Sequence, residues 1–385
     1  MKHYDYIFAG AGLSSLMTAY KMAINENFSS KKILLIDPDA KQSNDRTWCY
    51  WSDRESLFDN IIYKSWETAV FADAENKVDL NFEGMQYNMI RGIDFYNFVF
   101  GELMKHDNIE FLNSKVIDFG DNGSIVTVKT TGDSYTCSKL FNSIYDPGFP
   151  ASQSKHPVLQ QHFIGWHVKT QHLVFDVNKP VFMDFSVPQK GNTRFMYVLP
   201  FAENEALVEY TLFSKNLLSE AEYELAIKDY LVQLGGGNYE IINKERGSIP
   251  MTCYPFWKNN TKNIVHIGSA GGWTKASTGY TFKNADKLSD ALVNQLVEGA
   301  GTIQLRKKDK FWYYDLLLLD ILDRNNEKGS EIFSAIFRDG NAANTFKFLD
   351  EETTFAEDLK VILKCPKGIF IKAALYRLLN FQPKK

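Results

Sequence analysis

A short glycine-rich turn constrains the fold of this chain more than any other segment of its sequence. The turn runs from Gly10 through Gly12 to Ser15 and follows residues 4–9, which are typical of a short buried strand. After the turn, apolar residues recur with the spacing of one helix face. They are Leu16, Ala19, Tyr20 and Ala23. A strand, a glycine turn and a helix in this order form the context of a dinucleotide-binding fingerprint.

The small residues of the turn have separate physical roles in such a fingerprint. Gly10 permits the tight turn, and Gly12 lets the backbone approach a pyrophosphate. The free N–H groups and the positive end of the helix hold that anion. Ser15 takes the place of the usual third glycine and is small enough for close packing of helix on strand. The residues predicted to contact the dinucleotide here are Gly10, Gly12, Leu13, Ser14 and Ser15.

A second apolar segment supports the same interpretation. Residues 32–36 predict a strand that ends at Asp37, 22 residues after Ser15, where a carboxylate reaches the ribose hydroxyls of an adenine dinucleotide. The alternative is a glycine turn in an ordinary βαβ unit. The motif itself does not separate FAD from NAD(P), but its place near the start of a long chain favours FAD.

The composition argues against several classes of function. The net charge is −4 and the pI is near 6.0, so no basic surface for nucleic acid is expected. The four cysteines lie far apart and form no CxxC pair, so we expect neither a metal site nor disulfides, which fits a reducing cytosol. Met1 leads directly into the first strand, and no run of about 18 apolar residues occurs. We therefore expect no signal peptide and no membrane-spanning helix.

The chain of 385 residues is long enough for two domains that share an interface. The predicted fold class is α/β, with a Rossmann-like FAD/NAD(P)-binding fold and an α+β substrate part. Residues 1–150 are the predicted first part of the FAD-binding domain, and residues 151–245 a β-sheet substrate domain. Residues 246–300 return to the FAD-binding domain, and residues 301–385 form a helical C-terminal region that covers the substrate cavity.

Two segments outside the turn are candidates for ligand contact. Residues 41–55 are polar and then abruptly aromatic, and they predict a loop that either faces a ligand or packs on the core. Residues 268–282 are rich in small residues and lie between a predicted strand and a predicted helix. Such a segment brings backbone close to a flavin, although an ordinary connection between strand and helix has the same pattern.

One acidic residue stands out within an apolar strand. Glu209 is flanked by Val208 and Tyr210, and burial there would raise the pKa of its carboxyl so that it donates a proton near neutral pH. Exposure of Glu209 on the solvent face of the strand is the alternative. Asp184 is a second candidate acid, between Met183 and Phe185. No HExxH, GxSxG or Walker motif is present.

The ordered series of motifs resembles the FAD-dependent lycopene cyclases over nearly the full length. The segments that carry the resemblance are GAGLSSL, DRTWCYW, YNMIRGIDFY, FMDFSV, RFMYVLPF, ALVEYTLFS and GSAGGWTKASTGYTF. The resemblance implies a fold of the glutathione-reductase/hydroxylase type. It also implies a non-redox isomerase that uses reduced FAD, with NAD(P)H as reductant. Lycopene would be protonated at each end and closed to β-ionone rings, giving β-carotene by way of γ-carotene.

The resemblance also implies roles for particular residues. Glu209 occupies the place of the family's essential acid, and Thr211 is kept, but Tyr210 stands where a second acid is usual, which argues against a paired-carboxylate mechanism. In plastid members of the family the acid lies in a Phe-Leu-Glu-Glu-Thr motif. Residues 348–353 are closer to that motif in sequence than the segment around Glu209 is, but they lie outside the ordered series of motifs. Further cofactor-binding candidates are Asp37, Arg46, Thr47, Gly268, Ala270, Gly271, Gly279 and Tyr280. Aromatic faces stabilise a carbocation, and the candidates are Trp48, Tyr50, Trp51 and Trp273, with Tyr280 beside them.

Two other functions share the predicted fold. A flavin monooxygenase or halogenase acting on a hydrophobic substrate is one, but the halogenase motif Trp-x-Trp-x-Ile-Pro is absent, and Ser269 replaces the Asp of the hydroxylases' late Gly-Asp motif. A non-catalytic flavin- or carotenoid-binding protein is the other.

The implied partners are lycopene and other linear carotenes, with other carotenoid biosynthesis enzymes as neighbours. Because lycopene resides in the bilayer, we expect a cytoplasmic protein attached peripherally to the membrane. Mixed apolar and basic residues at 307–323 and 367–385 are candidates for that contact, and helices that cover the core are the alternative.

Overall fold

The computed structural model describes residues 1–301 and 303–379. The strands are β1 (His3–Ala9), β2 (Ile33–Asp37), β3 (Thr47–Ser52), β4 (Lys64–Trp66), β5 (Thr68–Ala72), β6 (Lys77–Asn81), β7 (Gln86–Arg91), β8 (Ile109–Asn113), β9 (Val116–Asp121), β10 (Val126–Thr130), β11 (Ser134–Asn142), β12 (Leu159–Thr170), β13 (Val181–Asp184), β14 (Thr193–Ala202), β15 (Glu205–Ser214), β16 (Tyr239–Met251) and β17 (Ile264–His266). The helices are α1 (Leu13–Ala23), α2 (Gly92–Leu103), α3 (Gly148–Ala151), α4 (Glu220–Gln233), α5 (Phe282–Val297), α6 (Lys310–Arg324), α7 (Gly329–Phe337), α8 (Ala343–Leu349), α9 (Phe355–Ile362) and α10 (Lys367–Leu379).

The first sheet has the parallel core that a dinucleotide fold requires. Its order is β8-β2-β1-β11-β10-β9, with β17 also paired to β11. The pairs β8–β2, β2–β1, β1–β11 and β11–β17 are parallel, and β9 and β10 are antiparallel additions. Helices α1 and α5 lie together, joined by the buried Lys21 with Asp286 at 2.7 Å and by Thr18 with Ser289 at 3.1 Å. The predicted Rossmann-like arrangement is confirmed.

The second sheet is mostly antiparallel and has the order β16-β12-β15-β14-β13-β5-β6. Aromatic side chains from this sheet pack against the C-terminal helices; Phe213 of β15, for example, packs on Phe333 of α7 with ring centroids 5.7 Å apart. Strands β5 and β6 belong to this sheet although they lie within residues 1–150. The proposed domain boundaries stay a prediction.

A third, small sheet replaces the loop predicted over residues 41–55. Within that segment Thr47–Ser52 forms β3, which pairs antiparallel with β7 in the order β3-β7-β4. Tyr50 and Trp51 are buried on opposite faces of the strand. The loop prediction was wrong because aromatic residues fit a pleated, buried strand better than a solvated loop.

The C-terminal part of the chain is helical, from α6 to α10. The predicted region 301–385 includes Thr302 and residues 380–385, which lie outside the described residues. No helix in the described part is both long and apolar enough to cross a membrane. Within 348–353, the carboxylates of Asp350 and Glu351 form ion pairs with Lys283 and with Lys275.

Candidate active site

A large cavity joins the glycine turn to the second sheet. Its volume is about 680 Å³. One end is polar and is formed by the turn after β1, the end of β2 and the segment before β3. The other end is apolar and is lined by Phe163, Phe182, Met183, Phe195, Leu207, Phe213, Phe333, Phe337 and Leu349. Such a shape suits a long polar molecule at one end and a hydrocarbon at the other.

The glycine turn faces the polar end of the cavity. Gly10 has φ +90°, and a Cβ on it would lie 2.5 Å from Ser143 Oγ, so the position needs glycine. A Cβ on Gly12 would meet nothing within 4 Å, so this part of the turn is open to a ligand. Asp37 accepts hydrogen bonds from the backbone N–H of Ala11 at 2.6 Å and of Asp39 at 2.9 Å. The carboxylate is therefore fixed beside the turn.

The second glycine-rich segment lies against the first. A Cβ on Gly268 would be 3.1 Å from Ser14 Oγ, so the two segments meet closely. Among the described residues, Thr278 Oγ1 and Gln161 Oε1 are buried without a hydrogen-bond partner, and both residues line the cavity. Two glycine-rich walls with unsatisfied polar atoms between them fit an elongated polar cofactor such as FAD.

The structure places most of the predicted cofactor-binding residues around this one cavity. Those that line it are Gly10, Gly12, Leu13, Ser14, Asp37, Arg46, Thr47, Gly268, Gly279 and Tyr280. Ser15, Ala270 and Gly271 are buried beside the wall without lining it. For all of these residues, contact with a cofactor stays a prediction.

A row of four residues crosses the second sheet at the boundary between the two ends. The register places Tyr197 of β14 opposite Glu209 of β15, Glu209 opposite Gly165 of β12, and Gly165 opposite Glu245 of β16. Residues directly opposite one another in a sheet project from the same face. Tyr197, Glu209 and Glu245 all line the cavity.

Glu209 is buried, with 7% of its surface exposed, and not on a solvent face as the alternative interpretation held. Burial, together with a smaller effect of the nearby Glu245, raises the pKa of Glu209 to about 8, although a hydrogen bond from the Thr211 hydroxyl acts in the opposite direction. A carboxyl group with this pKa is largely protonated at neutral pH. It can therefore act as an acid inside the cavity.

Glu245 is a second acid in the cavity that the sequence pattern did not reveal. Burial raises the pKa of Glu245 to about 7, opposed by a hydrogen bond from Thr47 and by the charge of Arg46. The Thr47 hydroxyl donates to Glu245 Oε2 at 3.1 Å. Strand β16 is largely exposed and rich in charged residues, so only its register against β12 identifies the one glutamate that faces the cavity.

Asp184 does not line the cavity. The Tyr230 hydroxyl donates to its Oδ2 at 2.9 Å, and the backbone N–H of Ser186 donates to its Oδ1 at 2.8 Å. These hydrogen bonds connect Asp184 to α4 and to the turn after β13. The structure thus places Asp184 and Glu209 in different environments, and the catalytic role of Asp184 stays a prediction.

The predicted cation-stabilising aromatic residues also divide into two groups. Trp48 and Tyr280 line the cavity. Tyr50 stacks on Phe282 at 4.6 Å, and Trp51 stacks on Phe346 at 4.3 Å, while Trp273 is buried with 1% exposed surface. These three side chains lie in the packed core and do not line the main cavity.

Two tyrosines that the sequence did not single out, Tyr87 and Tyr197, contribute to the cavity wall beside Tyr280. The hydroxyl of Tyr87 is 2.6 Å from that of Tyr197 and 3.4 Å from that of Tyr280. Burial raises the pKa of all three phenols, so they stay neutral. The acid of the cavity therefore lies beside neutral aromatic rings, which attract a cation.

The Rossmann-like sheet, the glycine turn at its strand ends and the second antiparallel sheet define a fold of the flavoprotein hydroxylase type. In solved structures, a geranylgeranyl bacteriochlorophyll reductase-like protein from Thermoplasma acidophilum has a TM-score of 0.64 at 12% identity, covering 97% of this chain and 99% of that one. A flavin-dependent brominase has a TM-score of 0.60 at 12% identity, covering 99% of this chain and 100% of its own. The predicted fold class is confirmed.

Sequence comparisons identify the family within that class. The family model described as lycopene cyclase protein matches residues 5–375. The chain is 25% identical over 311 residues to the lycopene beta-cyclase of Paracoccus sp. (strain N81106 / MBIC 01143), a match that covers 79% of this chain and 76% of the relative. It is 22% identical over 304 residues to the lycopene beta-cyclase of Pseudescherichia vulneris, covering 75% and 73%. The chain belongs to the lycopene cyclase family, as its motifs predict.

Proposed function

We propose that this protein closes the two linear ends of lycopene to β-ionone rings, giving β-carotene by way of γ-carotene. The observation that carries the proposal is the position of Glu209, a buried acid on the wall of an aromatic, largely apolar cavity. Protonation of an alkene requires an acid that carries its proton at neutral pH and a site that shields the resulting cation from water. The burial of Glu209 in the cavity wall favours both conditions.

The proposed reaction needs one proton in and one proton out at each end of the substrate. Glu209 donates its proton to the terminal double bond, and the resulting tertiary cation is attacked by the next double bond to close a six-membered ring. Loss of a ring proton then gives the β-ring, so no electrons are gained or lost overall. Tyr197, Tyr87 and Tyr280 surround the site with neutral rings that stabilise a cation by up to about 2 kcal/mol each when desolvated.

The residues of the polar end would hold FAD. Gly12 and the N-terminus of α1 would hold the pyrophosphate, and Asp37 would hold a ribose. The segment that contains Gly268 and Gly279 would lie along the flavin. When reduced by NAD(P)H and bound, the flavin supplies negative charge that favours a cation in the adjoining space. The chain's own residues exclude water there and supply the proton.

We also propose peripheral attachment to the membrane, through helix α10. Ile371, Leu375, Leu378 and Leu379 recur at helical spacing, and each is at least half exposed. Exposed Lys367 and Lys372 lie on the same helix, and exposed Lys360 lies on the preceding helix α9. An apolar stripe beside basic residues matches an anionic lipid surface, from which a hydrocarbon substrate would come.

A pigment assay tests the proposed reaction. The FAD-loaded protein is supplied with NAD(P)H and with lycopene in lipid vesicles. The products are separated by chromatography, and their masses are determined by mass spectrometry. A product of unchanged mass with the absorption spectrum of β-carotene supports the proposal. A product heavier by oxygen or halogen, with NAD(P)H consumed in proportion, indicates a monooxygenase or halogenase instead. Unconverted lycopene contradicts both.

A further inference from the structure

Glu209 and Glu245 flank the same glycine on one face of the second sheet. Gly165 lies opposite Glu209 on one side and opposite Glu245 on the other. A Cβ built on Gly165 would lie 3.5 Å from Glu209 Cβ and 3.2 Å from Glu245 Cγ. The two glutamate side chains therefore approach each other across Gly165, which has no side chain of its own, and Leu207 Cδ1, 3.2 Å from the same Cβ, packs beside them.

The surroundings of the two carboxyl groups differ. Glu209 is buried and receives a hydrogen bond from Thr211 of its own strand. Glu245 lies nearer the polar end, where Thr47 donates to it at 3.1 Å and Arg46 lowers its pKa. The negative form is therefore better supported at Glu245 than at Glu209. Two carboxyl groups that lie close together in a cavity wall do not both ionise readily, because the second charge is repelled by the first.

We propose that Glu245 is the second member of a carboxyl pair with Glu209, and that the pair holds one proton, carried by Glu209, at neutral pH. Glu245 is in this sense a positioning residue: its negative charge keeps the acid of Glu209 protonated. The role of the pair in turnover rests on the proposed function, whereas the existence of the pair does not.

The pair also accounts for the return of the proton. When Glu209 has given its proton to the substrate, both carboxyl groups are negative and lie on the wall of the same cavity. Their mutual repulsion makes the pair a stronger base than either group alone, so it recovers the proton that the ring carbon must lose. Protons then balance over each cycle, and the pair returns to its starting state.

Infrared titration of the FAD-loaded protein without lycopene tests the pair directly. The absorption of the protonated carboxyl is followed with pH in wild type, Glu245→Gln, Glu245→Asp and the control Glu240→Gln, which changes an exposed glutamate of the same strand. The band is assigned to Glu209 by its loss in Glu209→Gln. The other titratable or charged groups around the pair are Asp45, Arg46, Cys49, Tyr197 and Tyr280, and they are the same in all variants.

In Glu245→Gln the repelling charge is gone, so the midpoint of the Glu209 band is expected to fall by about one pH unit. Glu245→Asp and Glu240→Gln are expected to titrate close to wild type. An unchanged midpoint in correctly folded Glu245→Gln overturns the proposal, and so does an equal shift in Glu240→Gln.

Cyclisation assays on the same proteins give the second readout. Glu209 must be protonated to act, so activity falls as pH rises through its pKa, and in Glu245→Gln this fall is expected at lower pH. If Glu245→Gln is less active at every pH and its activity still falls at the same pH as in wild type, the role of Glu245 is purely structural. That result overturns the proposal. If wild type leaves lycopene unconverted while the infrared midpoint still shifts, the proposed function fails and the carboxyl pair stands.

Discussion

Tyr197 lies directly opposite Glu209 in the register of β14 and β15, so the acid and a neutral phenol project side by side into the cavity. The Tyr197 hydroxyl is in turn 2.6 Å from the hydroxyl of Tyr87. Its hydrogen-bonding capacity is thus directed toward another phenol. The cavity surface beside Glu209 is therefore aromatic, and its phenol hydroxyls lie within hydrogen-bond distance of one another.

Replacing Glu209 by Gln should abolish ring formation while leaving the fold and the cofactor in place. Gln has nearly the same shape but cannot donate a proton at neutral pH, so we expect a fall in turnover of about 100-fold or more, the range of acid catalysis. The measurement is β-carotene formed per FAD-loaded molecule. Glu205→Gln at the start of the same strand, where the side chain binds His167 at 2.7 Å, is the matched control. Near-normal turnover in Glu209→Gln would remove this residue from the mechanism.

Stability should fall as pH rises through the range set by Glu209. The folded-state pKa of about 8 lies above the ordinary value of 4.5, so the folded protein binds more protons than the unfolded chain between these limits. The free energy of unfolding therefore decreases with rising pH in this window, by at most about 1.4 kcal/mol per pH unit for one group. Urea unfolding at a series of pH values should show a shallower decrease in Glu209→Gln. Equal slopes for the two proteins would contradict the raised pKa.

Replacing Gly12 by Ala should weaken FAD binding without weakening the fold. The new Cβ meets no protein atom within 4 Å, but it enters the space predicted for the pyrophosphate. We expect the FAD dissociation constant to rise about tenfold, the equivalent of about 1.4 kcal/mol. Flavin fluorescence titration measures it, and thermal unfolding without FAD checks the fold. Gly101→Ala, at an exposed position of α2 with equally open space, should bind FAD like wild type.

Charges on the apolar stripe of α10 should release the protein from membranes. In Ile371→Glu combined with Leu378→Glu, the exposed stripe becomes acidic, and anionic lipid repels it. We expect the fraction that sediments with phosphatidylglycerol-containing vesicles to fall by about half or more. Leu225→Glu with Val232→Glu places the same charges on exposed apolar positions of α4. If both double variants sediment equally, α10 is not the docking surface.

Local sequence patterns predicted much of the first sheet and its connections. The turn at Gly10 and the strand ending at Asp37 depend on backbone conformation and short-range periodicity, which neighbouring residues largely determine. The same patterns misjudged Thr47–Ser52, because a cluster of aromatic residues after a polar stretch resembles a loop packed on a core. Pairing with β7 makes that segment a strand.

The sequence by itself determined the dinucleotide fold, the family and Glu209 as the candidate acid, because each depends on short motifs of neighbouring residues or on the order of such motifs along the chain. Only the tertiary structure decided that Glu209 faces a cavity, that Asp184, Tyr50, Trp51 and Trp273 do not, and that Glu245 lies beside Glu209. The two glutamates are 36 positions apart in sequence and meet through the register of two strands against Gly165. Strand register is fixed by the packing of a whole sheet face, and a slip of one residue would turn either glutamate to the other side.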